Sequence, residues 1–313
     1  MSRFRKTLPI AAAVVLILAC NLPLTDAGRT AQSTDRPAAD LPTRRATGTQ
    51  TPPPELPSVT KTGWTPTDTP ALLTPIDEPP PAPVDATVDE FFARCPTAAE
   101  IQSIAADLTF TFEADPTAGT IACTAAQGSL DLSPMQKRAY QSVLIMKYIA
   151  FDAPLPWTDK SLYRWFTATI KAVRLRSDIQ NSFCCNPADT INILVADNSF
   201  IVLTDRWIDP QMGGGLMSTM TLYVHEARHN EGYVHACPGG IADRTLSEMG
   251  AWGVQYYLME WLAQHTDPDF FRRPDGNPDY YRQVALWSMI AIRQTRFCDE
   301  PDPTAGPSPT LAG

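Results

Sequence analysis

The sequence predicts an α+β domain over residues 89–299, preceded by an export leader and a long unstructured tether. Three observations lead there. Apolar residues recur at helical spacing in six stretches, β-rich runs are short and fall between them, and no apolar periodicity survives before about residue 88. With 44% hydrophobic residues the chain can bury a core, and the patterned stretch has the length of one domain.

The leader comes first. Residues 1–19 run from a basic start (Arg3, Arg5, Lys6) through an apolar stretch to Cys20, too short to span a bilayer as a helix, and read as a secretory signal peptide. Ile17-Leu18-Ala19-Cys20 resembles the lipobox of bacterial lipoproteins. That resemblance implies acylation of Cys20 and an extracytoplasmic place in the bacterial cell envelope, with the membrane met through the lipid anchor only. Residues 20–88 form the expected tether: 14 of the chain's 30 prolines lie there, and proline removes backbone donors and fixes φ. Residues 300–313 share this composition and are expected to be a disordered tail.

Within 89–299 each element has its own warrant. Thr97 and Glu100 have capping-box spacing at the head of a helix over 97–107, and 108–113 alternates as a strand. Ser133 as cap and Pro134 at the first helical position open a helix over 133–151. Residues 159–176 continue the helical spacing behind Asp159. Two β-rich runs, 190–196 and 200–204, are joined by Asp197-Asn198-Ser199 as a hairpin. Helices over 216–230, 245–265 and 278–297 complete the domain.

Charge and cysteine usage narrow the function classes. Three of the 25 basic residues belong to the leader, so the mature chain carries 22 basic against 34 acidic residues, a net −12 that argues against a nucleic-acid partner. Beyond Cys20 stand Cys95, Cys123, Cys184, Cys185, Cys237 and Cys298. An even number in an exported chain points to up to three disulfides. The pairing stays open, except that a bridge between the adjacent Cys184 and Cys185 is disfavoured as strained.

The chemistry concentrates in one segment. His225-Glu226-Ala227-Arg228-His229-Asn230-Glu231-Gly232-Tyr233-Val234-His235 satisfies H-E-x-x-H-x-x-G-x-x-H, and three of the chain's four histidines lie in it. At about 100° per residue, positions i and i+4 sit about 40° apart, so His225 and His229 share one helix face as a metal clamp. Glu226 points to the side of that pair, placed to act as general base without being a ligand. His235 cannot join on a continuous helix, because it would lie about 15 Å along the axis from His225. Gly232 permits the break, since glycine accepts positive φ and ends helices at C′. Three neutral imidazoles on Zn²⁺ leave a fourth position for water.

This segment resembles the zinc-binding signature of the metzincin clan of zincin metallopeptidases. The resemblance implies that His225, His229 and His235 bind zinc, that Glu226 is the general base, that the fold is zincin-like, and that the chain is a zinc-dependent endopeptidase acting on a peptide or protein. Metzincins carry a methionine in a tight turn; Met249 lies downstream, but 247–252 reads here as helix. A second arrangement resembles gluzincins, with Glu248 on the following helix as third ligand, and His235 is preferred over it. Two other functions stay open: a non-catalytic, zinc-stabilised surface-binding lipoprotein, and a hydrolase of cell-wall peptides.

Neighbouring residues have plainer expected roles. Arg228 faces away from the histidines as an ion-pair partner. Cys237 is expected in a disulfide rather than on the metal. Tyr233, Tyr256 and Tyr257 are candidates for stabilising an oxyanion, although aromatics at helical spacing more often build core. His265 is expected in the last turn of its helix. Asp267, Asp269, Asp275 and Asp279 form a solvent loop, not a calcium site.

Overall fold

The computed structural model describes residues 86–196, 215–273 and 277–300. The leader, Cys20, most of the tether, the 200–204 strand with its turn, Asp275 and residues 301–313 lie outside the described residues.

The domain begins before residue 89. Thr87 caps a short helix, α1 (Val88–Ala93), in a reciprocal capping box with Glu90, and Thr87 and Val88 are both buried. Folded chain is therefore already present at Thr87, two residues before the expected boundary. The Val88 amide donates to the Phe270 carbonyl (2.7 Å) and the Tyr281 hydroxyl to Asp89 (2.5 Å), tying α1 to the C-terminal part.

Thr97 and Glu100 form the expected box at the start of α2 (Ala98–Asp107), which leads into β1 (Thr109–Phe112). Ser133 caps α3 (Pro134–Tyr148), with Pro134 in the first turn. The continuous helix expected over 159–176 is corrected: Ser161 caps α4 (Leu162–Thr169), the chain turns, and β2 (Ala172–Arg176) follows. β2 is flanked by β1 and by β4 (Thr190–Leu194), parallel to both, with Val173 and Leu175 fully buried. Pairing on both edges agrees with the local alternation of buried Val173 and Leu175 with Arg174 and Arg176, a period of two that the helical spacing of the residues before it obscures. β3 (Phe183–Cys184) runs antiparallel to β4, giving the order β1-β2-β4-β3.

After the sheet the described chain is helical: α5 (Leu216–Asn230), a 3₁₀ turn (Leu246–Glu248), α6 (Ala251–Gln264) and α7 (Tyr280–Thr295). The helix expected over 245–265 is thus broken at Met249, which adopts a left-handed conformation (φ 49°) between the 3₁₀ turn and α6. The result is a mixed α/β domain, consistent with the α+β expectation. Its one large core joins α1, α3 and α4 with the sheet and α5 to α7. α5 lies at the centre, packed on α3, α4, α6 and strands β3 and β4. Among the described residues no helix is long and apolar enough to cross a membrane.

Three disulfides are present. Cys95 pairs with Cys123 and Cys237 with Cys298, which leaves Cys184 and Cys185 to each other. The expectation that disfavoured a vicinal bridge is thus corrected: the bridge joins Cys184, the last residue of β3, to Cys185. Cys237 is in a disulfide, as expected.

Candidate metal centre

α5 is anchored at both ends before it presents any ligand. At its start the buried Arg138 guanidinium reaches from α3 to the Gly215 carbonyl (2.7 Å) and the Thr219 hydroxyl (3.0 Å). At its end the Asn230 amide donates to the Thr169 carbonyl (2.8 Å) and to Asp189 (2.7 Å), whose backbone amide returns a bond (3.1 Å). α5 is therefore pinned to α3 at its start and to α4 and the entry to β4 at its end.

The helix stops where the sequence placed its end. Glu231 caps it, and Gly232 follows with φ +90°, the region that glycine enters without a Cβ penalty. The chain then folds back and brings His235 to His225 and His229. One ligating atom from each of the three lies within 4.8 Å of the other two, and the ring centroids are 4.7–5.2 Å apart. His225 is buried, while His229 and His235 are half-buried.

Each imidazole also has an oxygen on its Nδ1. His225 Nδ1 meets Gln255 Oε1 on α6 (3.1 Å), His229 Nδ1 meets the Tyr233 carbonyl (2.5 Å), and His235 Nδ1 meets Asp243 Oδ1 (2.9 Å). An Nδ1–H donated to each of these oxygens leaves all three Nε2 lone pairs available. That pattern of outer hydrogen bonds orients histidines for a metal, so the residues present fit a divalent ion. Burial, followed by the neighbouring imidazoles His229 and His235, holds the His225 pKa well below the usual histidine value. Burial also lowers that of His229, against the opposing pull of the Tyr233 carbonyl. Both rings are thus in the neutral, ligating form at pH 7.

The other expected site residues fall in distinct places. Glu226 follows His225 on α5 and is buried (3% exposed). Glu248 is exposed in the 3₁₀ turn, and among the described residues the group that could hold a metal consists of the three histidines. Arg228 is structural, as expected: it pairs with Glu231 (2.5 Å), lies over the Tyr233 ring (3.7 Å) and donates to the Met249 carbonyl (2.8 Å). The 247–252 segment, expected as helix, instead holds Met249 in a tight turn stitched to α5 by this last bond. Tyr256 is buried, and Tyr257 packs edge-on against Tyr256 and Trp261. His265 stands at the C-cap of α6 beside Asp152 (2.7 Å).

Three residues that sequence reasoning passed over complete the centre. Trp252 is buried with its ring 4.4 Å from His225 and stacked 6.0 Å from His235, while the Arg296 guanidinium lies 4.2 Å from the same ring. Gln255 and Asp243 accept from the two histidines named above. Gln255 did leave a signal: it is a polar residue within Trp252-Gly253-Val254-Gln255-Tyr256-Tyr257, and a polar group on an apolar helix needs a partner. Asp243 left none, since a single aspartate after Gly239-Gly240-Ile241-Ala242 reads as loop.

Compared with family models, curated proteins and solved structures, the chain matches none.

Proposed function

We propose that this protein is a zinc-dependent endopeptidase with a zincin-like catalytic domain, tethered through Cys20 to the outer face of a bacterial membrane. The observation that carries the reading is the convergence of His225, His229 and His235, each with an oxygen on Nδ1, beside the buried Glu226 on the same helix. A structural zinc site has no need of Glu226. The methionine turn at Met249 adds support, being a feature of the metzincins that the His225-to-His235 segment resembles.

In this reading the three histidines hold the metal. Zinc there would act as a Lewis acid on the scissile carbonyl and lower the pKa of water toward about 7. Glu226 takes a proton from the attacking water and returns it to the leaving amine. Trp252 excludes solvent from the closed side of the imidazoles, and the half-buried His229 and His235 leave the other side for the peptide. The three disulfides suit an oxidising compartment.

Glu226→Gln keeps the side chain's size and removes its basicity. The zinc-loaded native protein should cleave an unstructured protein such as casein, and Glu226→Gln should retain zinc while turnover falls by about two to four orders of magnitude. Cleavage undiminished in the variant would remove Glu226 from the mechanism. Zinc retention with no cleavage of casein or peptidoglycan by the native protein would favour the surface-binding alternative.

A further inference from the structure

One carboxylate touches both the metal centre and the helix behind it. Asp243 is buried, with 2% exposure. Its Oδ1 faces His235 Nδ1 at 2.9 Å, while its Oδ2 accepts the Trp252 and Gly253 amides at 2.8 and 3.3 Å. Those amides belong to the first turn of α6, which has no side-chain cap from its own N-cap residue, Gly250. The Asp243 backbone is fixed as well, its amide donating to the Arg296 carbonyl (3.0 Å) and its carbonyl accepting from Cys298 (3.1 Å). The pocket leaves no slack: a Cβ on Gly250 would stand 2.5 Å from Asp243 Oδ2.

We propose that Asp243 is the positioning residue that makes His235 a metal ligand, by holding its imidazole in the tautomer with the proton on Nδ1. The inference rests on the three histidines being a zinc-binding set. A neutral imidazole has one N–H, and the nitrogen that bears it cannot bind a metal. An ionised carboxylate only accepts, so it admits one tautomer of His235, the one with the Nε2 lone pair free. Two backbone donors on Oδ2 keep the carboxylate from rotating away. The same residue sets α6, and α6 presents Gln255 to His225.

Asparagine separates the two duties. Its single acceptor oxygen is claimed by the α6 amides, so its NH₂ turns to His235 Nδ1. That donor requires a lone pair on Nδ1 and moves the ring proton to Nε2, the atom the metal needs. The helix cap survives, while zinc has to bind against the disfavoured tautomer of His235.

The test measures zinc affinity of the full chain by competition with a chromophoric chelator, with the thermal midpoint of the metal-free protein read alongside. Asp243→Asn should weaken zinc binding about 10- to 100-fold and leave the metal-free midpoint close to native. Gly250→Ala, whose backbone (φ −66°) is open to alanine, crowds the unaltered carboxylate and should weaken zinc in the same direction. In a His235→Ala background, Asp243→Asn should cost little more, because its effect runs through that ring. The cobalt-substituted Asp243→Asn protein should show an altered ligand-field spectrum. Native affinity in Asp243→Asn, or losses in Asp243→Asn and His235→Ala that add in full, would overturn the proposal. A native chain that binds no zinc would overturn the parent reading and this one with it, whereas zinc binding without peptidase activity leaves this one standing.

Discussion

The Cys237–Cys298 bridge closes the segment that delivers His235 and Asp243, and its loss should destabilise the fold without emptying the metal centre. The bridge joins residues 61 apart in sequence, and loop-closure entropy for that separation is about 4 kcal/mol in the unfolded chain at 25 °C. For a domain of this size, about 2–4 °C of midpoint accompanies each kcal/mol, so the double variant Cys237→Ser/Cys298→Ser should melt roughly 8–16 °C lower. The metal side is insulated by other contacts. Asp243 keeps its backbone bonds to Arg296 and residue 298, and its carboxylate still caps α6. The assay is denaturant and thermal unfolding of both proteins, with zinc content measured after dialysis under conditions where each is folded. Coincident unfolding midpoints would refute the entropic argument, and loss of zinc from a folded double variant would show that the bridge itself holds His235 in place.

Further outcomes follow from particular contacts. His235→Ala should weaken zinc enough to lose most of it on dialysis while Glu248→Ala keeps it, because Glu248 is exposed in the 3₁₀ turn; metal content after dialysis at matched pH decides, and the opposite order would install Glu248 as ligand. Burial raises the Glu100 carboxyl, but the Arg94 guanidinium, the Thr97 amide and the Tyr148 hydroxyl outweigh it and bring its pKa from the usual 4.5 down to about 2. A depressed carboxyl stabilises the fold above its unfolded pKa and loses that effect on acidification. The stability gap between native protein and Glu100→Gln should therefore be full above pH 4.5 and close as pH falls towards 2, and a gap independent of pH across that window would contradict the ion pair. Thr87→Ala removes the α1 cap and should cost about 1 kcal/mol, read as a lower denaturant midpoint; no change would return Thr87 to the tether.

Much of the centre was legible because it is local. His225 and His229 fall on one face through helix periodicity alone, and Gly232 ends that helix because its own missing side chain permits φ +90°. The same holds for the box at Thr97, where cap and partner are three residues apart, and for the Ser133 cap with Pro134 beside it. The box at Thr87 follows the same rule, yet it was hidden by the proline-rich composition before it.

Tertiary structure decided whatever depends on distant partners. Residues 172–176 follow closely on the helical spacing of 162–169, but Val173 and Leu175 alternate with Arg174 and Arg176, and parallel neighbours on both edges make them β2. Residues 245–265 look like one helix, but Arg228 holds the Met249 carbonyl and Asp243 supplies a new N-terminal cap, so the helix starts afresh at Ala251. Cys95 with Cys123, and Cys237 with Cys298, find one another across the fold, pairings that adjacency in sequence could not indicate. The sequence by itself determined which residues could hold a metal, since that follows from residue type, helical repeat and the break at Gly232. The oxygens that aim those ligands at a common point, Gln255, the Tyr233 carbonyl and Asp243, were decided by the tertiary structure: hydrogen bonds are short and directional, and only the packed chain brings α6 and the loop before it within their reach.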